Sequence, residues 1–122
     1  MKIQSYKDLE VWQIAVELVD MIFAQTENFP QREIYGLARE IRRSAISVPS
    51  NIAEGSGRAG TKELIQFLYI ARGSLCELDT QYYIASRRGF IQDKAMQQAV
   101  TDKISSISKM LSRLVQSLQR KN

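Results

Sequence analysis

Leu64, Leu68, Ala71, Leu75, Leu78, Tyr82 and Ala85 follow one another at alternating steps of four and three residues. A heptad seam of this length buries its side chains only when helices lie side by side and supercoil. It therefore predicts a long helix packed against antiparallel neighbours. Three other segments repeat apolar residues at helical spacing. In the last, beginning near Asp93, Met96, Val100, Ile104, Ile107, Leu111, Leu114 and Leu118 are expected to point inward. In the second, from about Arg32 to Ser56, the inward set is Ile34, Leu37, Ile41, Ala45, Val48 and Ile52. The first, from about Asp8 to Asn28 with Ser5 or Asp8 as cap, carries two adjoining apolar faces. One is Leu9, Trp12, Val16, Val19 and Phe23, and the other is Val11, Ile14, Leu18, Met21 and Ile22. Together they exceed the stripe of a helix that packs on one side. That helix is either deeply embedded in its own bundle or also faces another subunit. The expected fold is all-α, an up-and-down antiparallel four-helix bundle forming one domain over residues 1–122.

The second helix contains a proline. Ile41, Ala45, Val48 and Ile52 keep their phase across Pro49, which predicts a continuous helix kinked there. The ring removes a backbone donor and presses on the carbonyl of Ala45, at about 3 kcal/mol in an ordinary helix interior. Packing within the bundle or between subunits has to offset that cost. Asn51 and Glu54 lie one turn apart beside this seam and read as a polar pair bonding across helices. As a catalytic acid and its orienter they lack a second partner. Gly73 and Ser74 are expected to mark a close approach to the second helix, and Cys76 to be a small core or interface residue.

Composition narrows the function. The chain has no histidine, which removes the commonest general base, histidine-dependent triads and most zinc geometries. No metal, cofactor or small-molecule substrate is implied, and no enzymatic constellation is recognisable. The segment GSGRAGTK, Gly55 to Lys62, approaches a phosphate-binding loop, but Thr61-Lys62 reverses the required order and a helix precedes it where a strand is needed. Arg58 and Lys62, near a helix start, remain candidates for meeting an isolated phosphate. No apolar run approaches the ~20 residues that span a bilayer, and no signal peptide is recognised. With a single cysteine, the cytoplasm is the expected compartment.

A net charge of +4 conceals a segregation of sign. From Asp8 to Pro30 every charge is negative, namely Asp8, Glu10, Glu17, Asp20 and Glu27. After Asp102 every charge is positive: Lys103, Lys109, Arg113, Arg120 and Lys121. The second helix leans basic through Arg32, Arg39, Arg42, Arg43 and Arg58. The acidic helix either lies against basic helices of its own bundle or a neighbour, or the cations form an outward surface for nucleic-acid phosphates. On the second reading the contacts are Arg39, Arg42, Arg43, Arg58, Lys62, Lys109, Arg113 and Arg120, gripping RNA or DNA by charge without a base-reading motif. Tyr69 and Tyr83 are not interleaved with the second-helix arginines, so the sequence offers little support for base stacking.

Three segments carry a family resemblance: YKDLEVWQIAVEL from Tyr6, FPQREIYGLAREIRRSAISVPSNIAEGSGR from Phe29, and ELIQFLYIARGSLCELDTQ from Glu63. In this order they resemble the four-helix-bundle family encoded within intervening sequences of bacterial 23S ribosomal RNA genes, often labelled S23 ribosomal protein. The resemblance covers roughly residues 5 to 92, with Asn51 and Glu54 inside its NIAEG motif. It implies an up-and-down bundle assembling into five-fold rings, hence a homopentamer, but no settled biochemical activity. A related bundle occurs in accessory proteins of diversity-generating retroelements, an analogy of fold alone. The expected function is a non-enzymatic, self-assembling bundle that contacts nucleic acid or a nucleoprotein partner. The alternative is a protein–protein interaction module that binds no nucleic acid.

Overall fold

A computed structural model describes residues 5–120. Four α-helices account for most of them: α1 Glu10–Thr26, α2 Leu37–Ser56, α3 Thr61–Arg87 and α4 Lys94–Arg120. Short 3-10 turns, Tyr6–Asp8 and Gln31–Glu33, precede α1 and α2. Among the described residues there is no strand.

The helix ends follow from local chemistry. Ser5 caps the first turn, its Oγ accepting from the Lys7 N–H at 3.2 Å, and extended backbone at Leu9 then separates that turn from α1. The second helix starts later than its apolar spacing predicts, because Gly36 adopts a non-helical conformation. Glu33 Oε1, in the preceding turn, accepts from the Leu37 N–H at 3.3 Å and supplies one of the partners that a helix start lacks. Ile34 consequently falls in the turn and is exposed, a correction to its expected inward place. Gly89, the one described glycine with positive φ (79°), closes the turn after α3. Asp93 Oδ1 accepts from the N–H groups of Ala95 and Met96 at 3.0 and 3.1 Å and caps α4.

All the heptad residues of α3, from Leu64 to Ala85, are buried. They meet Ile41, Ala45, Val48 and Ile52 of α2 and Val100, Ile104, Ile107, Leu111 and Leu118 of α4 in one apolar core. On α4, Val115 takes the buried place expected of Leu114, which is half-buried. Met96 is exposed rather than inward. On α1 the two apolar faces separate. Val11, Leu18 and Ile22, with Ala15, enter the core, while Trp12, Val16 and Val19 stay half-buried and Phe23 is exposed.

α2 continues without a break through Pro49, whose ring is buried. It makes its most extensive packing with α3, and Gly55 shows why. A Cβ at Gly55 would lie 2.7 Å from Phe67 Cβ and 3.3 Å from the Leu64 carbonyl oxygen, so only hydrogen fits. Gly73 has open space around its missing Cβ and is exposed. The close approach expected at Gly73 therefore belongs to Gly55. Ser74 does face α2, where its Oγ lies 2.7 Å from Ser47 Oγ. Among the described residues Asn51 and Glu54 make no bond across helices. Asn51 Nδ2 donates back to the carbonyl and hydroxyl of Ser47, each at 2.9 Å, and so supports the serine pair from within α2. Glu54 is on the exposed side and pairs with Arg58, in the turn just past the end of α2, at 3.2 Å.

Tyr82 ties the end of α3 to α1, its hydroxyl donating to Gln25 Oε1 at 2.6 Å. Burial pushes this phenol up to about 12, and the charge of Asp93 adds to the push. A phenol raised in the folded state favours the neutral form. Its contribution to stability is complete below the unfolded value near 10 and is lost as pH climbs toward 12. Melting temperatures measured from pH 9 to 12 should fall through that window, and the fall should be shallower in Tyr82→Phe.

Candidate nucleic-acid interface

The basic residues expected at an interface do not share one environment. On α2, Arg39 and Arg43 are exposed, but Arg42 turns toward α1. Its Nε donates to Thr26 Oγ1 at 2.7 Å and its guanidinium lies 4.8 Å from the centre of the Phe23 ring. Thr26 is buried and its hydroxyl donates to the Ile22 carbonyl at 2.8 Å. Arg42 thus acts as a brace between two helices, and its stem and plane cover Phe23.

Arg58 is similarly engaged. It pairs with Glu54 at 3.2 Å, lies 4.0 Å from Glu63, and stacks 4.9 Å over the Phe67 ring, holding the turn between α2 and α3. Lys62, in the first turn of α3, is exposed and has no carboxylate partner among the described residues. The GSGRAGTK segment is the end of α2, a turn and the start of α3. It contains no strand-to-helix phosphate loop.

On α4 the cations divide by face. Lys103 leans toward α1 and donates to Glu17 Oε1 at 2.9 Å. This is the pairing between acidic and basic helices that the charge segregation suggests, realised once among the described residues. Lys109, Arg113 and Arg120 are exposed and have no carboxylate within salt-bridge distance there. Lys121 lies outside the described residues. Lys109 and Arg113 border a shallow groove of ≈ 340 Å³ with Asp102, Ser105, Ser106 and Met110. A second groove of ≈ 340 Å³ runs between α3 and α4, where Lys109 and Ser105 reappear beside Cys76, Asp79 and Ser108. Cys76 is exposed here and is not a core residue.

The same flank of α3 carries groups that the charge pattern alone did not single out. Tyr69 and Tyr83 are 41% and 61% exposed. The Arg72 guanidinium lies 5.0 Å from the Tyr69 ring centre, and Gln119 of α4 donates to the Tyr69 hydroxyl at 3.3 Å. The only trace of this in the chain is the spacing of three from Tyr69 to Arg72, which puts both on one helix face. Their nearness to the α4 cations depends on how the two helices pair.

A cleft of ≈ 530 Å³ opens at one end of the bundle, bordered by Gln25, Asn28, Phe90, Ile91, Asp93 and Met96. It brings one carboxylate among amides and apolar groups and assembles no acid–base pair. Among the described residues no group of carboxylates and the cysteine is arranged to hold a metal ion, and no helix is long and apolar enough to cross a membrane.

Helical architecture and surface charge together define an all-helical, four-helix protein most of whose charged groups stand on exposed helix faces. The chain belongs to the 23S rRNA-intervening sequence protein family, whose model matches residues 7–113. That match extends the resemblance seen in the NIAEG and FLYIARGSLCEL segments through most of α4. No curated protein sequence matches the chain.

Proposed function

We propose that this family member is a non-enzymatic bundle protein that assembles with copies of itself and contacts nucleic acid, or a nucleoprotein, through outward cations. The observation that carries the nucleic-acid reading is the state of α4. Lys109, Arg113 and Arg120 stand exposed along one helix without carboxylate partners among the described residues. Unpaired cations along a rigid rod are what a phosphate backbone neutralises most readily, with release of its counterions. Arg39 and Arg43 supply a second, smaller patch on α2. The lack of histidine supports the non-enzymatic reading, and the single cysteine fits a reducing cytoplasm.

Self-assembly is supported by apolar surface left uncovered in one chain. Trp12, Val16 and Val19 are half-buried along the outer stripe of α1, and Phe23, Ile46, Ile70 and Ile84 are exposed. Apolar residues that gather into a contiguous exposed patch mark protein–protein contact sites. A homopentamer is the state that the family suggests. Light scattering at micromolar concentration should return a multiple of the chain mass. A monomer mass would remove the assembly reading, and a well-defined dimer or tetramer would remove the five-subunit part alone.

Pro49 belongs to the same reading. A bend at this residue would repay its ~3 kcal/mol only if the bent shape is used in packing. Pro49→Ala should then raise the helicity of α2 as an isolated peptide while altering the mass of the assembly. An unchanged assembly with a raised melting temperature would make the proline incidental.

The same uncovered apolar surface favours a second reading, a protein–protein interaction module without nucleic-acid binding. A gel-shift titration of RNA against salt separates the two. Arg39→Gln with Arg43→Gln is the appropriate α2 variant, since Arg42 braces α1 and its loss would confound binding with stability.

A further inference from the structure

We propose that the face shared by α3 and α4 is a platform for single-stranded nucleic acid, with Tyr69 and Tyr83 stacking bases and Arg72, Lys109 and Arg113 holding phosphates. The proposal rests on the nucleic-acid reading above and gives it a place and a strand type.

Tyr69 and Tyr83 are two heptads apart on α3, so they project from nearly the same side about 21 Å from each other along the helix. Tyr83 is largely exposed and Tyr69 partly so. A phenol placed for ordinary core packing would have its ring covered, as Tyr82 does at 4% exposure. Between the two rings lies the α3–α4 groove, entered by Lys109 and by the hydroxyls of Ser105 and Ser108. Arg72 lies over Tyr69, so a base stacked on this ring would have the guanidinium beside its phosphate. Gln119 holds the Tyr69 hydroxyl at 3.3 Å and orients the ring before any ligand arrives.

The cations are distributed along this face. Arg72 lies over Tyr69, and Lys109 stands beside Asp79 in the groove. Arg113 adjoins Lys109 on α4 with Asp102, which already accepts from Gln98 Nε2 at 2.8 Å, while Glu77 lies on the other side of Cys76. Exposed aromatics interleaved with cations along one track are the arrangement that binds unpaired strands, because every base offers a π-face and every nucleotide a charge. Duplexes hide those faces, so this platform discriminates strand state and not sequence. The apolar residues assigned above to self-assembly lie elsewhere. Ile70 and Ile84 are each one residue on from a tyrosine, which on a helix turns them toward the α2 side. An assembly formed through those residues would leave the α3–α4 groove open.

Fluorescence anisotropy with labelled twelve-nucleotide oligo-U, oligo-dT and a duplex of equal length tests this on the full-length protein. Single strands should bind more tightly than the duplex. Tyr69→Ala and Tyr83→Ala should each weaken single-strand binding roughly tenfold at unchanged salt dependence, and Tyr69→Phe should retain it within about twofold. Lys109→Gln should instead flatten the salt dependence. The native cysteine gives a second readout, since Cys76 borders the groove midway between the tyrosines. Its alkylation should slow on saturation with oligo-U.

Four results would overturn the platform. Tyrosine variants that bind like the parent, with Cys76 unprotected, would place the strand elsewhere and leave the general nucleic-acid reading standing. Duplex binding equal to single-strand binding would remove the stacking. Loss of the parent's oligomeric mass in the tyrosine variants would make this face an interface between copies. An intact parent that binds none of the three probes at low salt would end the platform and the nucleic-acid reading together.

Discussion

Gly55→Leu should yield a chain that no longer forms the native bundle, and Gly55→Ala one that forms it with reduced stability. A first side-chain carbon at this position would sit 2.7 Å from Phe67 Cβ and 3.3 Å from the Leu64 carbonyl oxygen. Both belong to or adjoin the α3 backbone, so neither retreats by a change of rotamer. Leu64 Cδ1, at 3.1 Å, is the one neighbour free to move. Overpacking of this kind costs about 1–3 kcal/mol. Alanine recovers ~1 kcal/mol of helix propensity, so its net loss is up to about 2 kcal/mol. Leucine must drive α2 and α3 apart where their packing is most extensive, exposing part of the core. Gly73→Ala is the control with the opposite sign. Its Cβ meets nothing within 4 Å, so it should stabilise the protein by up to ~1 kcal/mol. Thermal melts followed by far-ultraviolet circular dichroism measure all three. A Gly55→Ala variant as stable as Gly73→Ala would contradict the tight α2–α3 approach.

The contrast between these glycines marks how far the chain reveals its own fold. Periodicity identifies the helices and most of the inward residues of α2, α3 and α4, because each helix must bury one stripe whatever its neighbours are. The α3 heptad enters the core entire. What periodicity leaves open is register. Gly55 and Gly73 both interrupt helices, and only the pairing of α2 with α3 decides which one is pressed against a neighbour. The serine pair Ser47 and Ser74 was hidden for the same reason, and so was the exposure of Glu54. α1 carried two plausible inner faces, and the choice of Val11, Leu18 and Ile22 follows from where three other helices stand. The candidate interface shows the same limit. Arg39, Arg42 and Arg43 form one cluster in sequence, yet Arg42 braces α1 through Thr26 and Phe23. The α4 cations were legible as a run of one sign. Their nearness to Tyr69, Arg72 and Cys76 was not, since those residues lie on another helix.

Lys109→Gln, Arg113→Gln and Arg120→Gln combined should lower the affinity for single-stranded RNA roughly a hundredfold at about 0.1 M salt. Each phosphate neutralised on a single strand contributes about 0.7 to the slope of log affinity against log salt. Three lost contacts remove about two units of slope, which at about 0.1 M amounts to about two powers of ten. Multivalency would enlarge the effect, because a symmetric assembly presents the same patch from every subunit to one strand. Stability should change little, as all three side chains are exposed and none pairs with a carboxylate among the described residues. The two-residue variant Arg39→Gln, Arg43→Gln should lose less. If it loses as much as the α4 variant, the phosphate track crosses α2 as well.

The most direct test of the central claim is the salt dependence of RNA binding by the parent protein, with the mass of the assembly followed by light scattering in the same samples. An assembled protein that grips phosphates through α4 should show log affinity falling against log salt with a slope steeper than about −2, while its mass stays constant. The α4 variant should give a line shallower by about two units of slope. No detectable binding at ~50 mM salt by an intact assembly would contradict the claim, as would parent and variant lines that coincide.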